Sequence, residues 1–157
     1  MSVLAAGTPA PSFRLVRGDG EDFTEQDLRG RQTVLVFYPF AFSPVCTDQF
    51  QHYEPLVAEL AGRGGVLVGV SCDATYSQSA FKEALAVTSE QLSDFQPKGA
   101  TCAAFGVLHP GGFAERALVI TGPDGVVRWS YQADSPGELP SVELLRSGIA
   151  AAYGESS

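Results

Sequence analysis

The run Thr33-Val-Leu-Val-Phe-Tyr38 sets β-branched, aliphatic and aromatic residues side by side with no polar alternation. It is too short for an average helix, and a strand with one wet face would alternate, so it predicts a strand buried on both faces. Such a strand needs a covering layer above and below it. After the loop Pro39-Phe-Ala-Phe-Ser-Pro-Val-Cys46, the residues Phe50, Tyr53, Val57 and Leu60 recur at spacings of three, four and three. That period places them on one face of a helix ending near Gly62, and strand, loop and helix make the first half of a βαβ unit.

The remaining segments fit around this centre. A short strand is expected near Ser12 to Val16, a hairpin turn at Arg17-Gly-Asp-Gly20, and a one-turn helix from a Thr24 cap to Gly30. A second strand is read at Gly65-Val-Leu-Val-Gly-Val-Ser71, a helix over Ser77 to Ala86, and a short helix at Thr101 to Val107 closed by Gly106. Ala117-Leu-Val-Ile-Thr121, the turn Gly122-Pro-Asp-Gly125 and Val126-Val-Arg-Trp-Ser130 form a β-hairpin, with Gly supplying the positive φ of the turn. An amphipathic helix from about Ser141 to Ala152 follows. The expectation is an α/β fold in one domain, residues 1–157: a thioredoxin-like sandwich with a central mixed sheet and helices on both faces.

Composition narrows the class of function. With 45% hydrophobic and 18% charged residues the chain has too much apolar material for disorder. The net charge of -8, with no Lys/Arg run, argues against nucleic acid and anionic membrane as partners. The apolar stretches fall short of the roughly 20 residues that span a bilayer, and Met1-Ser-Val-Leu-Ala-Ala lacks the basic start of a signal peptide, so a cytoplasmic location is expected. Cys46, Cys72 and Cys102 are spaced neither as a paired zinc knuckle nor as an even disulfide framework, and no cofactor or metal is expected. At least one thiol must be free or pair with another molecule.

Ser43-Pro44-Val45-Cys46 carries helix-start signals in the preferred order, Ser as N-cap and Pro at the first helical position. Cys46 then falls in the first turn, where unpaired N–H groups and the helix dipole favour a thiolate. Taking an ordinary thiol from a pKa of about 8.5 to about 6 requires ~3.4 kcal/mol, and a helix end supplies only about 0.3–2 kcal/mol. A second cation or several donors are needed. The dithiol of a thioredoxin would require a cysteine at position 49, which is Gln49, so this thiol starts alone.

Pro39-Phe-Ala-Phe-Ser43-Pro-Val-Cys46 resembles the peroxiredoxin signature P-x-x-x-[T/S]-x-x-C and lies on the strand-loop-helix element where that family keeps it. Similar segments run through most of the chain: Gly7-x-Pro-Ala-Pro-x-Phe, Gly69-Val-Ser71-x-Asp73, Leu92-Ser-Asp94-Phe, Gly99 to Phe105-Gly-Val, and Ala114-Glu-Arg116-Ala-Leu-Val-Ile before Gly-Pro-Asp-Gly. The Leu-Ser-Asp-Phe segment and the length look most like the one-cysteine group typified by the actinobacterial alkyl hydroperoxide reductase E. The resemblance implies a thiol-dependent peroxidase acting on hydrogen peroxide and organic hydroperoxides, with Cys46 as the peroxidatic nucleophile that becomes a sulfenic acid. It further implies that Arg116 stabilises the thiolate and donates to peroxide oxygens, that Pro39 shields the sulfur from water, and that Ser43 donates to the peroxide while capping the helix. A homodimer and reduction by an external thiol or redoxin are also implied.

Two positions depart from the family pattern. Ser43 replaces the more frequent Thr, and Gln49 stands where many relatives have Glu, so an Arg116–carboxylate pairing there is lost and the orientation of Arg116 is left open. The local resolving position five residues past Cys46 is Gln51; Cys72, after a buried strand, is read as core, and Cys102, in a short helix between glycines, as a candidate exposed resolving thiol. Two rival readings stand beside the peroxidase. His52 and His109 raise a Cys/His hydrolase, although a six-residue separation points His52 away from Cys46 on a helix. A non-enzymatic redox sensor or binding module would use the same thiol.

Overall fold

The computed structural model describes residues 2–154. Its strands are β1 (Arg14–Val16), β2 (Asp22–Thr24), β3 (Thr33–Phe37), β4 (Val66–Ser71), β5 (Glu90–Ser93), β6 (Ala117–Thr121) and β7 (Val127–Gln132). Its helices are α1 (Pro44–Ala61), α2 (Thr75–Leu85), α3 (Ala100–Ala104) and α4 (Val142–Ala152), with a 3-10 turn at Glu25–Leu28. One seven-stranded sheet runs in the order β2-β1-β5-β4-β3-β6-β7. β3, β4 and β5 are mutually parallel, whereas β6, β7, β1 and β2 join antiparallel, so the sheet is mixed as expected.

The run that anchored the sequence reading is the middle of this sheet, with every residue of β3 buried. Its alternation sorts the core into two layers. Val34, Val36 and Tyr38 point into a layer with Phe50, Tyr53, Leu56 and Leu60 of α1, Phe81 of α2, and Leu145 and Ile149 of α4. Leu35 and Phe37 point the other way, into a layer with Phe13, Leu28, Phe105 and Cys102 of α3. Val57, read as part of the apolar face of α1, lies at the rim of the first layer, and Leu56 takes the buried position.

β5 has no counterpart in the sequence reading because its sequence, Glu90-Gln-Leu-Ser93, holds a single apolar residue. Its buried polar side chains are paired instead. Gln91 Oε1 accepts the Tyr38 hydroxyl at 2.9 Å, and Ser93 Oγ donates to the Asp73 carbonyl at 2.6 Å. These bonds satisfy groups that would otherwise weaken the core.

Candidate active site

Ser43 is the N-cap of α1, extended at φ -66 and ψ 149, with Pro44 in the first turn. Its Oγ accepts the Cys46 backbone N–H at 3.3 Å, so Cys46 sits at the third helical position. The preceding loop is held from outside the helix: Asp73 Oδ2 accepts the Ala41 N–H at 2.8 Å and the Ser71 hydroxyl at 2.7 Å. Phe42, at φ 71, occupies the left-handed region, and its ring packs edge-on against Phe81 at 5.4 Å. Asp73, which entered the sequence reading only as part of a motif, thus ties the end of β4 to the loop before Cys46.

Arg116 immediately precedes β6 and shares its side of the sheet with Leu118 and Ile120, which face α1. The side chain is 1% exposed. Its Nη2 donates to Cys46 Sγ at 3.3 Å, its Nη1 to Gln49 Oε1 at 2.7 Å, and its Nε to the Pro136 carbonyl at 2.7 Å. The orientation of Arg116, left open by the sequence, is thus set by Gln49 itself. The amide oxygen takes the place of a carboxylate and fixes the guanidinium, and Gln49 Nε2 in turn donates to the Tyr53 hydroxyl at 3.3 Å. Burial pushes the Tyr53 phenol up to about 12, so it stays protonated and donates to the Pro140 carbonyl at 2.6 Å.

This chain of bonds changes the charge balance at the site. Among the described residues no carboxylate pairs with Arg116, and two of its three acceptors are neutral carbonyl oxygens. A buried cation without a counter-ion is costly, and the Cys46 sulfur is the one ionisable group among the three acceptors. Gln49 thus orients Arg116 without competing with the sulfur for its charge.

A pocket of about 300 Å³ opens beside Arg116 and the start of α1, walled by Pro39, Phe40, Val45, Phe113 and Pro136, with Ser43 and Arg116 also lining it. Phe40 and Phe113 lie 5.0 Å apart on its rim. Cys46 itself is fully buried, and Pro39, two residues past β3, is buried as well. The four residues expected at the site, Cys46, Arg116, Ser43 and Pro39, are thereby brought together. Sequence reasoning missed Gln49 and Tyr53 as supports of Arg116; the one-face spacing from Cys46 to Gln49 to Tyr53 on α1 was the available signal.

Other candidates lie elsewhere. His52 is exposed on α1, and His109 stacks on Phe113 at 4.2 Å while its Nδ1 accepts the Gly111 N–H. Neither histidine hydrogen-bonds to Cys46 among the described residues. Cys72 is core, as read, but Cys102 is fully buried, which corrects the expectation of an exposed thiol. Both belong to the layer opposite Cys46, because Cys72 continues the side of Val68 and Val70 and α3 covers that face. With Asp94 they form a cluster of metal-ligating residue types whose ligand atoms lie within 4.8 Å of one another.

The family model described as the AhpC/TSA family matches residues 6–130. Peroxiredoxin Bcp of Escherichia coli is 32% identical over 142 residues, covering 90% of this chain and 86% of its own. Alkyl hydroperoxide reductase E of Mycobacterium bovis is 27% identical over 151 residues, covering 95% and 98%. The crystal structure of peroxidoxin BcpB from Mycobacterium tuberculosis superposes with a TM-score of 0.81 at 25% identity, over 98% of this chain and 99% of that one. With a cysteine at a helix entrance, a buried arginine on its sulfur and a match over most of its length, the chain belongs to the AhpC/TSA family and is a peroxiredoxin, a thiol-dependent peroxidase on a thioredoxin-like fold.

Proposed function

We propose that Cys46 is the peroxidatic nucleophile for hydrogen peroxide and organic hydroperoxides, with Arg116, Ser43 and Pro39 as its working partners and an external thiol or redoxin as reductant. The observation that carries this reading is the 3.3 Å contact between the buried, carboxylate-free guanidinium of Arg116 and Cys46 Sγ. The thiolate attacks the distal peroxide oxygen, the O–O bond breaks, and the leaving oxygen departs as water or an alcohol once protonated. Arg116 donors favour the negative charge that builds on the peroxide oxygens. The Ser43 oxygen accepts from the Cys46 N–H, which leaves its own hydrogen to donate to the peroxide. Pro39, with no N–H, closes one wall against water, and the apolar walls beside it suit the alkyl part of an organic hydroperoxide.

The external reductant follows from the partition of the cysteines: neither Cys72 nor Cys102 lies on the Cys46 side of the sheet. Three free thiols fit a reducing compartment, which supports the cytoplasmic location. The homodimer is carried forward from the family resemblance and is measured by sedimentation. Under stopped-flow with excess peroxide and thiol, Cys46→Ser is expected to remove nearly all turnover and Cys72→Ser to leave it largely intact. Turnover of Cys46→Ser near the rate of the unmodified protein would sink the assignment.

A further inference from the structure

We infer that Cys72 and Cys102 form a second redox pair, a dithiol that a hydroperoxide converts into an internal disulfide on the face of the sheet opposite Cys46. Cys72 directly follows β4, and α3 lays Cys102 over the same face, so two thiols 30 residues apart in sequence share one pocket of the core. Their sulfurs and a carboxylate oxygen of Asp94 all lie within 4.8 Å of one another. Closing that gap to the roughly 2.05 Å of an S–S bond takes side-chain rotation and a small shift of α3 rather than unfolding.

The two thiols are not equivalent. Cys72 is 5% exposed and Cys102 is fully buried, so peroxide reaches Cys72 first. The nearness of the two sulfurs lowers the Cys72 pKa and, together with burial, raises that of Cys102. Cys72 is then the nucleophile and Cys102 the thiol that follows. The Cys72 thiolate attacks one peroxide oxygen, the O–O bond breaks, and an alcohol or water leaves with Cys72 as the sulfenic acid. Cys102 sulfur attacks Cys72 sulfur, the S–O bond breaks, and hydroxide departs as water with the Cys102 proton. In sum the two thiols lose two protons and two electrons, and the peroxide takes up both.

Asp94 holds this geometry in place. Its Oδ1 accepts the Thr101 N–H at 3.0 Å and its Oδ2 the Cys102 N–H at 2.7 Å, which pins the first turn of α3 to the end of β5. The same donor types suit a divalent metal, and the test below separates a metal-bound pair from a disulfide. Oxidation has a structural outlet, since Cys72 lies between Ser71 and Asp73, whose side chains secure the loop carrying Ala41.

The test uses Cys46→Ser, which leaves the second pair untouched and makes the result independent of the role assigned to Cys46. After treatment with hydrogen peroxide, the variant is denatured in excess alkylating agent and its intact mass measured. The expected result is loss of two hydrogens with no alkyl group added, against two groups on the untreated control, and a peptide map joining the Cys72 and Cys102 segments. Cys46→Ser/Cys102→Ser is expected to gain oxygen on Cys72 and form no internal link. The proposal is overturned if peroxide-treated Cys46→Ser still takes two alkyl groups. It is equally overturned if native mass spectrometry finds both thiols held by a metal ion, or if Cys72 gains oxygen while Cys102 stays free.

Discussion

Arg116 is a full positive charge with almost no solvent, held by two neutral oxygens and one sulfur. In the proposed mechanism, removing it takes away the donors for the leaving oxygen as well as the partner of Cys46 Sγ. Arg116→Ala is therefore expected to lower the second-order rate with peroxide by on the order of 10²–10³-fold, beyond what loss of thiolate explains. Measuring the rate alongside the ultraviolet absorbance of the thiolate across pH separates the two effects. A fall in proportion to the thiolate fraction alone would reduce Arg116 to a charge partner. Cys46 was legible in the sequence because Ser43, Pro44 and the helix period are local signals. Arg116 was reached only through the family resemblance, since it lies 70 residues from Cys46. The supporting part of Gln49 was not legible for the same reason: its partner comes from another element.

Helix ends and helix faces carry the element-scale consequences. Ser43 caps α1 and Ser141 caps α4, each accepting a backbone N–H, from Cys46 at 3.3 Å and from Leu144 at 3.0 Å. Ser43→Ala and Ser141→Ala are each expected to cost about 1 kcal/mol of stability. Only Ser43→Ala should also slow the reaction with peroxide, because only Ser43 borders the pocket. Equal rates in chemical denaturation and stopped-flow comparisons of the two variants would leave Ser43 as a cap and nothing more. On α4, a Cβ added to Gly148 would come within 2.6 Å of the Trp129 ring on β7. Helix propensity favours Ala over Gly by about 1 kcal/mol, but overpacking a rigid ring costs roughly 1–3 kcal/mol. Gly148→Ala is thus expected to lower the denaturant midpoint; a rise would mean that α4 slides without resistance. The helices themselves were legible from period and caps. β5 was not, because its buried residues Gln91 and Ser93 are satisfied by partners from other elements rather than marked by an apolar run.

At the scale of the whole molecule, the sheet separates Cys46 from Cys72 and Cys102. In the proposed mechanism a sulfenic acid on Cys46 then waits for an external thiol and stays open to further peroxide. Excess peroxide without reductant is expected to drive Cys46 to the sulfinic acid, two oxygens heavier, whereas a small thiol added early traps one mixed disulfide. Peptide mapping by mass spectrometry reads both outcomes, and a Cys46–Cys102 linked peptide would defeat the one-cysteine scheme. What the sequence determined alone was whatever neighbours along the chain decide: the doubly buried β3, the Ser-Pro start of α1, the Gly122 to Gly125 hairpin turn and the cap of α4. The period of two in β3 even required two core layers. Which layer each cysteine enters, and that Arg116 reaches Cys46 while Cys102 meets Cys72, was decided only by the order β5-β4-β3-β6. That order comes from burying apolar surface across long loops, a property of the assembled sheet that no single segment encodes.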